Sequence, residues 1–194
     1  MALLTETTHA ARMNSFPPTL SLGEYTLRPL RDSDARAWSS YLSDPRVTEH
    51  TSWGQVDLQT IEALVSRLID EYARKASCRW GLARAQDDEL VGTCGFSTLS
   101  SDHRSAELVY DLAPSFWGLG LMSKAVNAVL AWAFTELELS RIQAVVMVTN
   151  QSSIVLLERC GFAREGLLRN YRVAHGKPRD FYIYSRIAKD LARI

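Results

Sequence analysis

The chain has 194 residues, 46% of them apolar, and its 22 lysines and arginines balance 22 aspartates and glutamates to a formal net charge of +0. This length predicts one domain with a core of its own. The charge balance argues against nucleic acid as the main partner, because such proteins usually show a basic excess. No apolar run reaches the ~18 residues of a membrane span, and the start lacks a cationic segment followed by a long apolar one. The predicted location is therefore cytoplasmic.

The cysteines and histidines form no recognisable disulfide or metal pattern. Cys78, Cys94 and Cys160 are odd in number and lack CxxC spacing, which indicates free thiols in a reducing compartment that serve as small core residues. The four histidines are scattered, without a ligand spacing such as HExxH. We expect no metal.

The N-terminal part is predicted to contain a loose arm, a strand and two helices. Residues 1–19 are polar and end in two prolines, so we expect an arm there and one domain over residues 20–194. A strand is expected at 25–30, where apolar residues alternate weakly. Two helices follow, the first capped by Ser33 or Asp34 and the second opened by Asp57.

Strands and helices then alternate along the rest of the chain. In order, the predicted elements are strands at 79–85, 89–99 and 106–112, a helix at 121–137, a strand at 141–148, a helix at 152–159 that Gly161 ends, and one or more closing strands that include 181–187. The first two of these strands are joined by the short turn expected of a hairpin. The succession predicts a single α/β (α+β) domain.

The most informative segment lies where the strand at 106–112 gives way to a helix. Pro114 ends the strand, and Gly118 and Gly120 precede the helix. The first turn of a helix exposes unpaired N–H groups and the positive end of the dipole, and glycine lets the backbone approach a ligand. This arrangement suits a pyrophosphate, although a tight strand-to-helix turn needs the same glycines. The spacing fits neither a P-loop nor a dinucleotide fingerprint.

Several segments around this loop resemble the GNAT superfamily of N-acetyltransferases, and most closely its Rim-type branch, which includes the ribosomal-protein N-terminal acetyltransferases. They read ELVYDLAPSFWGLGLMSKAV, SRIQAVVMVTNQSSIVLLERCGF, REGLLRNY and DFYIYSRI, in the order of the family. The resemblance implies a single GNAT-type domain with a mixed, mostly antiparallel central sheet that splays between two parallel strands and is flanked by helices. It also implies acetyl-CoA as the cosubstrate.

The resemblance assigns the cofactor's pyrophosphate to the glycine loop. By that assignment the cofactor-binding loop begins at Trp117, and the phosphates accept from the backbone N–H groups of Gly118, Leu119, Gly120, Met122 and Ser123. Trp117 stands where the general family pattern has arginine or glutamine, and Met122 where a small residue is usual. Since the binding uses backbone donors, neither departure forbids it, although bulk at Met122 is expected to narrow the groove.

Further cofactor contacts are implied on either side of the loop. Asp111, Leu112 and Ala113 would present a strand edge to the pantetheine amides, and one of their N–H groups would polarise the thioester carbonyl. The alternative is ordinary sheet pairing. The resemblance also brings Asn150 to the arm of CoA, whereas its position before a helix equally fits a simple N-cap.

Three residues are candidates for proton transfer. The resemblance places Ser153 beside the cofactor sulfur, where it would protonate the leaving thiolate, although a helix cap is an equal alternative. Glu107 matches a family position that often carries the carboxylate that takes the amine's proton through water. Its alternative is a solvated strand residue. Tyr171 is a further candidate acid or pocket wall, or else a half-buried strand aromatic.

The predicted activity is acetyl transfer to a primary amine by direct attack in a ternary complex. The acceptor is a protein N-terminus or a small amine, and the groove for it is expected between loops at 46–57 and 171–178, with Trp53 on its wall. Arg172 stands near a position that is acidic in some Rim-type relatives, which favours an acidic or polar acceptor. The alternative function is an acyl-CoA-binding module without turnover. Dimers are common among relatives, so a homodimer is expected.

Overall fold

The computed structural model describes residues 16–54 and 56–189. The first fifteen residues of the predicted arm lie outside that part of the chain. The described end of the arm is attached to the domain: the rings of Phe16 and Trp132 lie 6.0 Å apart, and the Trp80 indole donates to the Pro18 carbonyl over 2.6 Å. Residues 16–18 are therefore packed, whereas the sequence predicts them to be loose, because an apolar ring and a carbonyl find partners on the domain.

In the described residues, eight strands form one sheet. They are β1 (Leu20–Ser21), β2 (Tyr25–Pro29), β3 (Cys78–Arg84), β4 (Leu90–Ser100), β5 (Ser105–Leu112), β6 (Arg141–Met147), β7 (Ala163–Ala174) and β8 (Lys177–Ile187). Their order across the sheet is β1-β2-β3-β4-β5-β6-β8-β7. Neighbouring strands run antiparallel except β5 and β6, which run parallel. The predicted fold, a mostly antiparallel sheet with one parallel pair, is confirmed.

The same part of the chain contains five α-helices. They are α1 (Asp34–Leu42), α2 (Pro45–Thr48), α3 (Leu58–Arg74), α4 (Leu121–Glu136) and α5 (Gln151–Arg159), with a 3-10 turn at Pro114–Phe116. The Asp57 carboxylate accepts the Thr60 N–H over 2.8 Å, as expected of the residue that opens α3. Ser33 precedes α1 without a side-chain cap. Among these helices, none has both the length and the apolar character required to cross a membrane.

Apolar side chains cover both faces of the sheet. On one face α4 and α5 pack against β-strand residues, with Trp80, Phe96 and Tyr184 fully buried. On the other, α1 and α3 pack around Trp38 and Ile61. Burial of such large side chains contributes roughly 1.5–3 kcal/mol each, so the sheet is fixed from both sides and its irregularities are held in place.

The sheet is irregular where its two parallel strands separate. β5 and β6 pair at only three positions, which end at Glu107 opposite Gln143. Beyond them the strands diverge, as the resemblance implies. On the other side of β5, the register with β4 shifts between Phe96 and Thr98, so that Ser97 is an extra residue. A bulge bends a strand and increases its twist, and this bulge lies level with the point where β5 leaves β6.

The C-terminal region and one connection differ from the sequence-based prediction. β8 begins at Lys177 rather than near 181, and β7 was not predicted as an element. The supposed loop at 171–178 is mostly the tip of the β7–β8 hairpin, with a turn at His175 and Gly176. Likewise α2 lies in the expected loop at 46–57. β7 escapes prediction because it is an edge strand that is largely exposed, so its sequence lacks a regular apolar alternation.

Candidate active site

The glycine loop has the backbone geometry of an anion site. Gly118 and Gly120 both have positive φ, 76° and 69°, in the left-handed region that other residues rarely adopt. Gly120 is the N-cap of α4, without a side-chain cap, and the Lys124 N–H is the first to bond back to its carbonyl, over 3.1 Å. The N–H groups of the three residues between them are the unpaired donors of a helix start. They are open to a ligand at the positive end of the helix dipole.

These donors face a cavity of about 560 Å³, which we call the loop cavity. Most residues predicted to bind the cofactor line it: Asp111, Leu112, Trp117, Gly118, Gly120, Met122, Ser123 and Asn150. Arg46 and Arg159 line it as well, and the sequence analysis did not identify either. The Arg46 guanidinium pairs with the Asp44 carboxylate over 2.6 Å, whereas no ion pair is found for Arg159 among the described residues. A guanidinium group and a helix N-terminus therefore share one space, a combination that favours phosphate groups.

Trp117 and Met122, the two departures from the family pattern, have structural explanations. The Trp117 indole donates to the Leu112 carbonyl over 2.8 Å, so it fastens the loop to the end of β5. The Met122 side chain is 5% exposed and packs in the core, so it does not narrow the groove as expected. Leu119 is 63% exposed and is not among the residues lining the loop cavity, because the turn between the glycines directs it outward.

The open edge of β5 differs in two residues from the prediction. The Ala113 N–H donates to the Val91 carbonyl over 2.8 Å, so it is used within the sheet and is not offered to a ligand. Alternate residues of an antiparallel strand direct both backbone groups to the same neighbour. The backbone N–H and C=O groups of Asp111 therefore also point toward β4, whereas those of Tyr110 and Leu112 point into the splay. Of the three predicted residues, Leu112 alone presents the edge, and Tyr110 presents it as well, whereas the backbone groups of Asp111 and the N–H of Ala113 are used within the sheet.

The Asp111 side chain lies on the face of β5 that packs against α1, where it has three hydrogen-bond partners. Its carboxylate accepts hydrogen bonds from Arg79 over 2.5 Å, from Thr93 over 3.0 Å and from Tyr41. The side chains of Arg79 and Asp111 are 10% and 7% exposed, and the Arg79 guanidinium also lies 4.6 Å from the Trp38 ring. This buried ion pair joins α1, β3, β4 and β5 directly beneath the cavity.

Ser153 meets Tyr110 on the near face of β5. Their hydroxyl oxygens share a hydrogen bond of 2.7 Å. Burial raises the pKa of the Tyr110 phenol well above its usual range, so it keeps its proton at neutral pH. The side-chain oxygen Oδ1 of Asn150 accepts the Ser153 backbone N–H over 3.1 Å. The side-chain Nδ2 of Asn150 donates to the His50 backbone carbonyl over 3.3 Å. Asn150 is thus the cap of α5 and also ties that helix to the loop after α2.

The Tyr110–Ser153 pair lies where two cavities meet. A second cavity of about 310 Å³ occupies the divergence of β5 and β6, and we call it the splay cavity. Tyr110, Asn150 and Ser153 line both it and the loop cavity. A hydroxyl at that junction can exchange a proton with a group bound between the two spaces.

Glu107 and Tyr171 have surroundings that the sequence did not indicate. The Glu107 carboxylate accepts from Arg172 over 3.1 Å and from the Gln143 amide over 3.5 Å, and its side chain is 16% exposed. It is therefore neither solvated nor free. Tyr171 is exposed on β7, with its ring edge-on to Phe181 at 5.8 Å, and it is not among the residues lining the splay cavity. Its position gives no support to a role in proton transfer.

A third space, of about 1000 Å³, opens between the region of α2 and the tip of the β7–β8 hairpin, and we call it the hairpin groove. This is where the sequence predicts the acceptor groove. Trp53 lines the groove and both cavities, in agreement with its expected place on the wall. His175 approaches the Thr48 carbonyl to 3.2 Å, which links the hairpin to α2 across the groove.

Within residues 16–54 and 56–189, no group of three or more histidine, cysteine or acidic residues is arranged to hold a metal ion. Cys78, Cys94 and Cys160 are free and buried. Burial raises the pKa of all three thiols, so each remains protonated at neutral pH and is a poor nucleophile.

Comparisons with known proteins agree with this geometry. A family model described as acetyltransferase (GNAT) domain matches residues 25–163. The uncharacterized N-acetyltransferase YoaA of Bacillus subtilis (strain 168) is 37% identical over 171 residues, which cover 87% of this chain and 96% of that protein. Mycobacterium smegmatis RimJ, solved in complex with CoA-disulfide, has a TM-score of 0.82 and 27% identity, covering 91% of this chain and 90% of RimJ. Spermidine N-acetyltransferase from Vibrio cholerae, solved with CoA and spermine, has a TM-score of 0.76 and 25% identity, covering 87% of this chain and 98% of that one.

We predict that Asp111→Ala lowers the free energy of unfolding by about 3 kcal/mol, because it leaves the Arg79 charge buried without its partner. Urea unfolding at neutral pH measures the change, with Asp102→Ala in an exposed turn as the control. The double variant Arg79→Met/Asp111→Leu is expected to regain part of the loss, since two apolar side chains can replace a buried pair. A loss below about 0.5 kcal/mol for Asp111→Ala, the range of ordinary surface substitutions, would contradict the role of the pair.

Proposed function

The chain belongs to the GNAT acetyltransferase family, and from that premise we propose how its residues transfer an acetyl group from acetyl-CoA to a primary amine. The amine attacks the thioester directly in the splay cavity, and the Tyr110–Ser153 pair protonates the departing thiolate. One observation carries the proposal: the two hydroxyls share a hydrogen bond of 2.7 Å at the junction of the loop cavity and the splay cavity. Acetyl-CoA supplies the activated acetyl thioester.

The loop cavity is the proposed site of the CoA phosphates. The unpaired N–H groups at the start of α4, the two glycines with positive φ and the guanidinium groups of Arg46 and Arg159 fit a pyrophosphate and a further phosphate. Ser123 and Asn150 line the same space. The complexes of RimJ with CoA-disulfide and of the spermidine acetyltransferase with CoA support this choice of ligand.

The free edge of β5 is the proposed partner of the extended arm of CoA. The β5–β6 ladder ends at Glu107, so the backbone groups of Tyr110 and the N–H of Leu112 face the splay. An extended ligand that adds to an open strand edge satisfies such groups. One of these N–H groups would also donate to the thioester oxygen as it gains charge.

Proton transfer needs one acceptor and one donor. The amine loses a proton as its bond to the acetyl carbon forms, and we propose that Glu107 receives it through water. Glu107 is not among the residues lining the splay cavity, so the water would have to bridge to it past Arg172, which lines the cavity and donates to the Glu107 carboxylate over 3.1 Å. As the carbon–sulfur bond breaks, Ser153 gives its proton to sulfur and recovers one from Tyr110 along their shared hydrogen bond, and Tyr110 regains a proton from solvent when CoA leaves. An α-amine with a pKa near ~8 needs less help from a base than a lysine does.

The acceptor is a primary amine, and we propose that it enters from the hairpin groove. A space of about 1000 Å³ beside Trp53 has room for the first residues of a peptide, which favours a protein N-terminus. A small amine remains the alternative, in view of the relative that was solved with spermine. The binding-module alternative loses its main support, because Trp117 and Met122 both have places compatible with the cofactor.

The homodimer and the cytoplasmic location expected from the sequence remain predictions. Light scattering at several protein concentrations tests the first, and a fluorescent fusion in the native host tests the second.

We predict that Gly120→Ala weakens CoA binding about tenfold. The left-handed conformation of Gly120 costs an alanine ~1–2 kcal/mol, so a variant loop that relaxes out of it must regain that conformation in order to bind, and about 1.4 kcal/mol corresponds to tenfold in affinity. Isothermal calorimetry with CoA measures the change. Gly23→Ala is the matched control, since Gly23 also has positive φ and open space around it but lies between β1 and β2. Equal loss of affinity in both variants would contradict the assignment of the loop.

Initial rates with both substrates varied should give intersecting lines in a double-reciprocal plot. Direct transfer requires both substrates on the enzyme together, and the three buried thiols with raised pKa values offer no covalent route. Parallel lines would show a substituted-enzyme intermediate and contradict the proposed route.

Ser153→Ala and Tyr110→Phe are each expected to lower kcat by roughly a hundredfold, the range of a lost proton donor, with little change in the KM for acetyl-CoA. The double variant should lose little more than either single variant, because the two hydroxyls act as one unit. Tyr182→Phe, on β8, serves as the control, since it also removes a phenolic hydroxyl but lies away from the Tyr110–Ser153 pair. Unchanged kcat in both single variants would remove the hydroxyl pair from the mechanism.

A further inference from the structure

The tip of the β7–β8 hairpin carries two arginines that face each other. Arg172 and Arg179 are direct partners in the antiparallel ladder. Like charges directly opposite each other destabilise a strand pair, so this arrangement works against the hairpin unless an anion lies near both. Arg172 lines the splay cavity and Arg179 lines the hairpin groove. The pair therefore stands where an acceptor would pass from one space to the other.

Among the residues that the structure describes, a carboxylate pairs with only one of these two arginines. Arg172 is paired with Glu107 over 3.1 Å and lies near the rings of Tyr171 and Phe181. Within the part of the chain that the structure describes, Arg179 has no ion pair or side-chain hydrogen bond. Its neighbour Asp180 accepts the Asn170 N–H over 2.8 Å.

The other charged groups around this entrance do not supply the missing anion. Arg79 also lines the splay cavity, but Asp111 holds its charge. Glu49 lines the groove and lies 3.5 Å from the His50 ring. His50 and His175 lie on the same walls. Glu107 and Asp111 balance Arg172 and Arg79, and Glu49 is the one carboxylate among the described residues that line the hairpin groove, so none of these carboxylates pairs with Arg179. The entrance has an excess of positive charge.

We propose that the acceptor amine carries a carboxylate a few bonds away, and that Arg179, together with Arg172, binds this carboxylate while the amine enters the splay cavity. This inference rests on the proposed function and names its substrate class. The planar guanidinium forms paired hydrogen bonds with a carboxylate, and an anion there relieves the repulsion across the hairpin. A polyamine would instead add positive charge to this entrance. The shared chemistry is that of an acidic peptide N-terminus or a small amino acid.

The test compares matched acceptors that differ only in the carboxylate, with CoA release as the readout. One arm uses a pentapeptide amide that begins Ser-Glu-Glu and its Ser-Gln-Gln counterpart. The other uses β-alanine and its amide, and spermidine is added as a polycation. Whichever acid has the higher kcat/KM, the acidic pentapeptide or β-alanine, shows whether a peptide N-terminus or a small amino acid is the better acceptor. The wild-type enzyme is expected to prefer the acid in at least one arm by about tenfold, the value of a hydrogen bond to a charged group.

The variant Arg179→Gln is expected to lower that acid-over-amide ratio about tenfold, because the group that makes the distinction is lost. Arg164→Gln removes a cation from the far end of the same hairpin and should leave the ratio unchanged. CoA affinity, measured by calorimetry, checks that the Arg179 variant is folded. Acetylation without preference for the acid, or an unchanged ratio in Arg179→Gln, would overturn the inference while leaving the proposed function intact. CoA binding without acetylation of any acceptor would overturn both.

Discussion

The divergence of β5 from β6 is the constraint on which the rest of the site depends. Two parallel strands that remained paired would satisfy each other's backbone groups and close the sheet. Here the ladder stops after three positions, and the backbone groups of Tyr110 and the N–H of Leu112 then need another partner, because strand-edge N–H and C=O groups seek hydrogen bonds. The extended arm of CoA is the partner that we propose, and the hydroxyl pair lies at the same opening.

β5 can remain open on one side because it is held firmly on the other. Its ladder with β4 continues to Leu112, and the Ala113 N–H extends it by one bond. Beneath the strand, the Arg79–Asp111 pair adds charged hydrogen bonds that reach α1 and β3. Such a buried pair gives little net stability but fixes geometry, since breaking it is costly. The position of the open edge is thus set by contacts on the face away from the ligand.

Local features of the site could be predicted from the sequence, and those that depend on distant contacts could not. Gly118 and Gly120 are recognisable because positive φ and a helix start are local properties, and the order of strands follows from the apolar pattern. The pairing of Tyr110 with Ser153, 43 residues apart, depends on how α5 packs on β5. The Glu107–Arg172 pair likewise joins β5 to β7. β7 itself was missed because an exposed edge strand has no buried face to impose alternation. Asp111 and Ala113 were misassigned because the free side of a strand depends on which strands pair with it.

The bulge at Ser97 makes the shape of the cleft depend on the number of residues in β4. This residue lines none of the three cavities described above, yet its presence shifts the register by one position where β5 bends away. Removal of Ser97 would let Phe96 and Thr98 oppose the consecutive residues Leu108 and Glu107 in an even ladder, and β4 would lose the bend and the added twist that the bulge gives it. Engineering of new acceptors should therefore substitute residues freely along the cleft walls and keep the residue count of its neighbouring strand fixed.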